Sequence, residues 1–539
     1  MGVARKKAFL PGMRRAIALA FMLLLASCGG SSGGSGAPGE QVLHYDLRAV
    51  PEQTPQHVLV SWDDSHDEVE HYELYLAREP LDDLAHYASY QGGELIQDAQ
   101  SPYTTQLSPG TWYFRVAAYS EDGRLPASHQ VSLFVPVGGL NDTGITLCAD
   151  LERYDHDCEH ESVAGFPGQD ARTGRDADGG LIKIGAGDAG FDYTRICRSG
   201  ELAGEGNCPP DPVRGSADNE WGCTRDNVTG LIWEVKTPDP DDLHSEGGVF
   251  TWFRSDPSHP EGGHGDVNEG GSCPELDQCN TEAFIEAVND NGLCGANDWR
   301  LPTPNELVGI LHLGKPTPFI DSQGFENAPF FFWSATPDTA ETDLPALWEV
   351  GFMSGSVESA RHDTPYYYRA RLVRSPDEPA PTCPGVPSSD FEIHHDTVTH
   401  IPTGLMWPRC PEGTEINASA DACEMRDGEE GRYTWQAALQ HAEGHAFAGY
   451  DDWRVPNHKE LLSIVEYCSA DVRLNPDAFP SFAALTLSDD ARFWTSSPRR
   501  SWFFSGTESS WTVNFDGSLF NSASRRTSEQ FLRLVRDAE

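Results

Sequence analysis

Asn297–Leu307 reads NDWRLPTPNEL and Asp451–Leu461 reads DDWRVPNHKEL, so one eleven-residue pattern occurs twice, 154 positions apart. The chain must therefore build the same local structure twice. In the first copy Thr303, Pro304 and Glu306 supply a hydroxyl cap, a proline at the first helical position and a glutamate reaching back from the third, which predicts a helix from Thr303 to Leu313. In the second, Asn457 is the cap and Glu460 the reciprocal residue, predicting a helix from Asn457 to Tyr467. Leu307, Val308, Ile310 and Leu311 match Leu461, Leu462, Ile464 and Val465, so each helix carries one core face. Trp299-Arg300 and Trp453-Arg454 sit just upstream of a proline that holds Leu301 and Val455 extended, as at a strand end. Packing explains every part of the pattern. Trp299, Arg300, Glu306, Trp453, Arg454 and Glu460 thus read as a fold signature, a buried tryptophan beside an ion-paired arginine.

Further landmarks recur in the same order. DNVTGLIWEV (Asp226–Val235) is echoed by DTVTHIPTGLMWPR (Asp396–Arg409), FTW (Phe250–Trp252) by YTW (Tyr433–Trp435), and FFWSAT (Phe331–Thr336) by FWTSS (Phe493–Ser497). LWEVGFMSGSV (Leu347–Val357) matches SWTVNFDGSLF (Ser510–Phe520), and RLVR closes both at Arg371 and Arg533. A domain of residues 221–375 has been duplicated as 386–539, joined by a proline-rich linker at 376–385. Two further helices are expected at Thr281–Asn289 and Thr434–Glu443. These landmarks together resemble the Lcl C-terminal domain family, over about 300 of the 539 residues. The resemblance implies an α+β, C-type-lectin-like fold and an association with adhesion, including binding of sulfated polysaccharides.

Upstream of the repeats the patterning changes. VLVSW (Val58–Trp62), HYELYLA (His71–Ala77) and GTWYFRVAAYS (Gly110–Ser120) alternate apolar with polar residues between Pro, Gly and Asp clusters, the pattern of an all-β sandwich over 41–137. The segment resembles a fibronectin type III domain, which implies a core role for Trp62 and a tyrosine corner at Tyr113 or Tyr119. Residues 138–220 carry four cysteines and little periodicity, as expected of a disulfide-tied extension of the first repeat. The fold class expected is multidomain: a fibronectin type III-like sandwich followed by two α+β C-type-lectin-like domains.

The first residues bear on compartment. Arg5, Lys6, Lys7, Arg14 and Arg15 precede an apolar run, Ala16–Ala26, that ends in Leu-Ala-Ser-Cys at Cys28. This resembles a bacterial lipoprotein signal over 1–27, with Cys28 as the lipidated residue and 28–40 as a Gly/Ser tether. The run is too short to span a bilayer, which takes ~20 residues. The expected place is the bacterial cell envelope, lipid-anchored at the outer membrane. Of thirteen cysteines, twelve remain after Cys28, an even number that favours disulfides in an exported chain. Eight (Cys148, Cys158, Cys197, Cys208, Cys223, Cys273, Cys279, Cys294) precede the linker, while Cys383, Cys410, Cys423 and Cys468 belong to the second repeat, so each half can close its own bridges. The formal charge of −46 loses five positive residues with the signal, leaving −51, which argues against nucleic acid as a partner.

Catalytic constellations are scarce: the sequence has no G-x-S-x-G elbow, no H-E-x-x-H and no phosphate-cradling glycine loop. No cofactor is expected. Calcium is the one cation the composition leaves open, through Asn297 with Asp298, Asn305 with Glu306, and Asp451 with Asp452. DHDCEHE (Asp155–Glu161) offers His156 and His160 without a second cluster at zinc-ligand spacing. For a glycan or surface-protein ligand the candidates are Arg499, Arg500 and Trp502, with Trp511, Arg525 and Arg526, because aromatic faces stack on sugars and arginines pair with sulfate. The expected function is a non-enzymatic envelope lipoprotein with ligand-binding modules. The alternatives are an enzyme on a scaffold like that of the formylglycine-generating oxidases, and a structural envelope component. Replacing Cys28 by Ala is expected to move the protein from the membrane to the soluble fraction, since each buried acyl methylene contributes ~0.8 kcal/mol to anchoring; retention in membranes after fractionation would contradict the lipid assignment.

Overall fold

The computed structural model describes residues 45–538, apart from 46, 52–56, 64–68, 82, 91, 108–109, 121–122, 136–139, 178–180, 182, 184, 257–263, 266–270, 327–329, 339–345, 362–367, 376–385, 420–421, 430, 470–472, 483–490, 501–508 and 516–520. Cys28, Cys383, the linker and Trp502 lie outside the described residues. The described part of the chain is mostly β, with few helices.

Its first part has two antiparallel sheets. One joins Arg48–Pro51, His57–Ser61 and Tyr103–Gln106; the other is built around His71–Ala77 and Gly110–Ser120. Val58, Val60, Trp62, Phe114 and Val116 are buried, but His71–Ala77 is buried on both faces from Tyr72 to Ala77 rather than on alternate residues. The tyrosine hydroxyl that bonds backbone across this domain is that of Tyr45, donating to the Pro126 carbonyl and accepting from the Ala118 amide.

Each repeat carries a four-stranded antiparallel sheet of matching order. In the first it is Tyr193–Cys197, Trp221–Asp226, Ile232–Glu234, Val373–Arg374; in the second, Phe391–Ile393, Thr397–His400, Leu405–Pro408, Arg536–Asp537. A second sheet in each contains Phe331–Asp338 or Arg492–Pro498, and both strands slip register at the same place, between Trp333 and Pro337 and between Trp494 and Pro498. Five matched tryptophan pairs are buried: Trp233 and Trp407, Trp252 and Trp435, Trp299 and Trp453, Trp333 and Trp494, Trp348 and Trp511. Two of these pairs repeat their indole hydrogen bonds. Trp299 and Trp453 donate to the carbonyls of Leu293 and Phe447, while Trp333 and Trp494 donate to those of Phe250 and Tyr433.

Both predicted capping boxes form, at Thr303 with Glu306 and at Asn457 with Glu460. The helices they start are shorter than the apolar spacing suggests, Pro304–Gly309 and His458–Leu462. Ile310, Leu311, Ile464 and Val465 are buried all the same, but in turns beyond the helix. The first of these turns redirects the chain so that the His312 amide reaches the Phe319 carbonyl, a contact a continuing helix would forbid. The other two helices are Thr281–Asn291 and Trp435–Ala442.

The two repeats share one core through a pseudo-symmetric contact. Trp348 of the first donates to the Tyr467 carbonyl of the second and lies under Arg473, while Trp511 of the second packs on Phe319 of the first. Phe319 and Arg473 are themselves matched positions, 154 residues apart. Arg473 is fixed by Asp338 of the first repeat, N to O 2.6 Å, with both side chains nearly inaccessible.

The described disulfides are Cys148–Cys158, Cys197–Cys208, Cys223–Cys294, Cys273–Cys279 and Cys410–Cys423, and Cys468 is also bonded. All eight cysteines ahead of the linker thus pair among themselves. The extension touches both repeats: Tyr193–Cys197 joins the sheet of the first, while the Gly165 carbonyl accepts from Gln436 and Gln440 of the second.

Candidate functional site

The repeated signature is consumed by structure. Arg300 makes two bonds to the Glu306 carboxylate, at 2.8 and 2.6 Å, and Arg454 makes the same two to Glu460, at 2.6 and 2.7 Å. One of the two oxygens of each glutamate also serves the helix cap, since Glu306 Oε2 and Glu460 Oε2 accept from the Thr303 and Asn457 amides. Burial would lower the Arg454 pKa, but Glu460 facing it raises it and holds the guanidinium charged. The aspartate before each tryptophan is held as well: Asp298 by Arg374 and Asp452 by Arg536, each through Nε at 2.6 and 2.7 Å. The first arginine of each RLVR lies buried beneath its sheet, donating to the Glu234 carbonyl in one repeat and the Pro408 carbonyl in the other, both at 2.7 Å. Asp298, Glu306 and Asp452, weighed above as calcium ligands by composition, have arginines on their carboxylates instead.

The repeats differ at the corner where the longer helix ends against the loop after the TGL[IM]W strand. In the first repeat a cavity of about 320 Å³ opens there beside His244, Asn291 and Leu293. Glu234, wholly buried nearby, accepts from Lys236 at 2.7 Å and His244 at 2.8 Å. In the second repeat a cavity of about 290 Å³ is lined by His395, Asp396, Arg409, Glu412, Arg426 and Phe447 among others. Phe447 corresponds to Leu293, so the two cavities occupy equivalent corners. Pro408 stands where the first repeat has Glu234, and that buried network has no counterpart.

The second corner assembles a cluster the sequence reading missed. His441 lies in the last turn of Trp435–Ala442, and Gly444, with φ +69°, turns the chain back so that His445 packs on it, ring centroids 4.8 Å apart. Glu412, 8% exposed in its side chain, lies under both, its Oε2 2.8 Å from His441 Nε2 and 3.7 Å from His445 Nε2. Its loop is fixed by the Cys410–Cys423 bridge and by the bond from the Glu412 amide to the Leu532 carbonyl. Burial lowers the His445 pKa, Glu412 opposes, and His441 and Arg426 add to the lowering, so neutral imidazole is favoured there. The spacing H-x-x-x-H was the available signal.

The family model described as Lcl C-terminal domain matches residues 222–374 and 396–536, more than half of the chain. The chain belongs to the Lcl C-terminal domain family. No curated protein matches it. Similar solved structures include one described as a myokine structure, at 18% identity over 17% of this chain and 95% of that one, TM-score 0.14. Two others are fibronectin type III domains of human fibronectin type III domain containing protein 3. The sixth domain matches at 21% identity, and the other at 18%; each match covers 19% of this chain and 92% of that one, with TM-scores of 0.15 and 0.14. These are distant fibronectin type III-like matches over a small part of the chain.

In the second Lcl domain the anticipated arginine and aromatic patch does not come together as one surface. Arg526 is fully buried, donating to the Asp150 and Arg153 carbonyls of the extension and to Ser509 and Ser510 of its own sheet. Trp511 is 2% exposed, with Phe319 and His458 against its ring. Arg499 is partly buried over that ring, Arg500 is half-buried, and Arg525 is exposed. Arg525 and Arg526 are neighbours at a strand end, and consecutive residues there take opposite faces, so only one can reach solvent. His156 and His160 stack at 4.7 Å, with His156 bonded to Asp150 at 3.0 Å.

A second acidic cluster, the buried Asp142 and Asp170 with the half-buried Asp176, lies where the extension meets the second Lcl domain. Five of its six carboxylate oxygens accept protein donors: Thr143 and Asn457 on Asp142, Asp176 backbone on Asp142, Thr143 and Ser497 on Asp170, and the Gly190 and Gly144 amides on Asp176. Only Asp170 Oδ1 lacks one. Lys459 is buried beside them, its ammonium donating to the Asp142 and Gly309 carbonyls. Burial, with Asp176 adding, pushes the Asp142 carboxyl up to about 7, and burial pushes Lys459 down to about 7. A carboxyl whose pKa is higher folded than unfolded binds more protons in the native state between about pH 4 and pH 7, so its contribution is full below that window and lost as pH rises through it. Replacing Asp142 by Asn removes that titration. Between about pH 4 and pH 7.5 the unfolding free energy of Asp142→Asn, read from denaturant curves, is expected to gain on the parent as pH rises; a pH-independent gap would contradict this assignment.

Proposed function

We propose that this protein is a non-enzymatic, envelope-anchored binding protein whose second Lcl domain takes a small polar ligand, such as one residue of a surface glycan, in its corner cavity. The reading rests on one observation: the repeats keep the same clasp, indole bonds and buried arginines, yet the walls of the equivalent corner are rebuilt. A duplicated scaffold with a varied corner is the arrangement expected of modules that share a fold and differ in what they bind. At about 290 Å³ the cavity sits near the lower end of ordinary ligand sites. His395, Asp396 and Arg426 are exposed at its rim, with Phe447 beneath, offering hydrogen bonds of both polarities beside an aromatic face.

The remaining parts of the proposal follow the sequence. Cys28 carries the lipid, the sandwich spaces the modules from the membrane, and the Lcl domains take a C-type-lectin-like fold. Among the described residues no helix is long and apolar enough to cross a membrane. The net negative charge disfavours polyanions at long range, but screening within about 8 Å at physiological salt leaves local groups to decide.

A glycan-array screen of the full chain, with and without chelator, tests the reading together with Asp396→Ala/Arg426→Ala. Both residues are exposed, so the variant should fold normally and bind its array hits at least ~10-fold more weakly, a loss of about 1.4 kcal/mol. Unchanged binding in that variant, with loss instead on replacing Arg499, Arg500 and Arg525, would move the site to the strand edge and contradict the cavity.

A further inference from the structure

We infer that the second Lcl domain contains a transition-metal site in which His441 Nε2, His445 Nε2 and one carboxylate oxygen of Glu412 bind a zinc-class divalent ion, leaving a coordination position open. The site adjoins the proposed ligand cavity through Glu412 but does not depend on that reading, since metal binding is measured without any glycan.

Geometry carries the inference. One candidate ligand atom from each residue lies within 4.8 Å of the others. Ligands ~2.0–2.1 Å from a tetrahedral zinc stand roughly 3.3 Å apart. The observed separations from Glu412 Oε2, 2.8 Å to His441 and 3.7 Å to His445, bracket that value, so small side-chain rotations would seat an ion. Both imidazoles present the same nitrogen to the same oxygen. The carboxylate is nearly inaccessible at 8%, while His441 and His445 are 31% and 21% exposed, which gives the ion an anionic floor and an entry path.

Donor chemistry selects the class of metal. Two imidazoles and one carboxylate suit Zn²⁺ and its neighbours, whereas Ca²⁺ and Mg²⁺ require a shell built mainly of oxygens. Three protein ligands rather than four leave one position to water or to an anionic or hydroxyl group of a bound ligand. The first repeat cannot reproduce the set, because Ala287, Asn291 and Pro238 stand at the matched positions.

That substitution pattern supplies the test. The full chain carrying Cys28→Ala, freed of metal, is titrated with Zn²⁺ by calorimetry and with Co²⁺ by visible absorption. One ion per chain with a Kd of ~1 μM or tighter and tetrahedral Co²⁺ bands are expected. His441→Ala/His445→Asn, which installs the first repeat's residues, should weaken Zn²⁺ binding more than ~100-fold, since loss of even an outer partner costs 10–100-fold. Should the double variant unfold, His445→Asn alone gives the same readout, because His445 lies in a surface turn beyond the helix. No Zn²⁺ binding by the parent, or unchanged affinity in the folded variants, would overturn the inference.

Discussion

The bidentate pair between the arginine of each Trp-Arg doublet and the glutamate six residues later is the contact on which the rest of each repeat depends. It ties the end of a strand to the first turn of a helix, and one glutamate satisfies both the guanidinium and an otherwise unpaired cap amide. Arg454 is largely buried with Glu460 on its guanidinium, where an arginine without its partner would cost several kcal/mol. From this point the sheet is closed by main chain, since Arg300 and Arg454 exchange backbone bonds with Val373 and Val535 of the RLVR strands. The last arginine of each strand then returns to the aspartate beside the tryptophan. Sequence elements more than seventy residues apart thereby become one clasp.

Much of this was legible because it is local. Cap, proline and reciprocal glutamate lie within four residues, and both boxes form as expected. The matched landmarks likewise revealed the duplication. What the sequence did not expose depends on long separations: Asp298 with Arg374, Asp452 with Arg536, Asp338 with Arg473, and the indole of Trp348 on Tyr467. Helix length was overread because apolar spacing continues through turns that bury Ile310 and Ile464 without helical bonding. The Arg525-Arg526 doublet looked like a surface patch only while its strand alternation was ignored. His441 and His445 were overlooked because their carboxylate comes 29 positions earlier in the chain, on a separate loop.

The contrast between a repeated clasp and an unrepeated corner organises the molecule. The five matched tryptophan pairs are all buried, and two of them repeat their indole hydrogen bonds as well. Where the helix end meets the following loop, the first repeat buries a Glu234, Lys236 and His244 network, and the second presents Glu412, His441 and His445 at the edge of a cleft. The extension adds a third kind of contact, since its aspartates grip Asn457, Lys459 and Ser497 of the second repeat, and Asn457 also caps the clasp helix. Packing of the repeats against each other thus reaches the same helix start from two sides.

The duplicated signature holds the fold rather than a ligand, and the unfolding midpoint of Glu460→Gln decides between the two. The substitution keeps the side chain's size while removing the charge that faces Arg454. A fall in stability of ~3–5 kcal/mol is expected, by the measured cost of breaking buried pairs. An unchanged midpoint, with ligand binding lost, would show the signature to be a binding site and contradict the account.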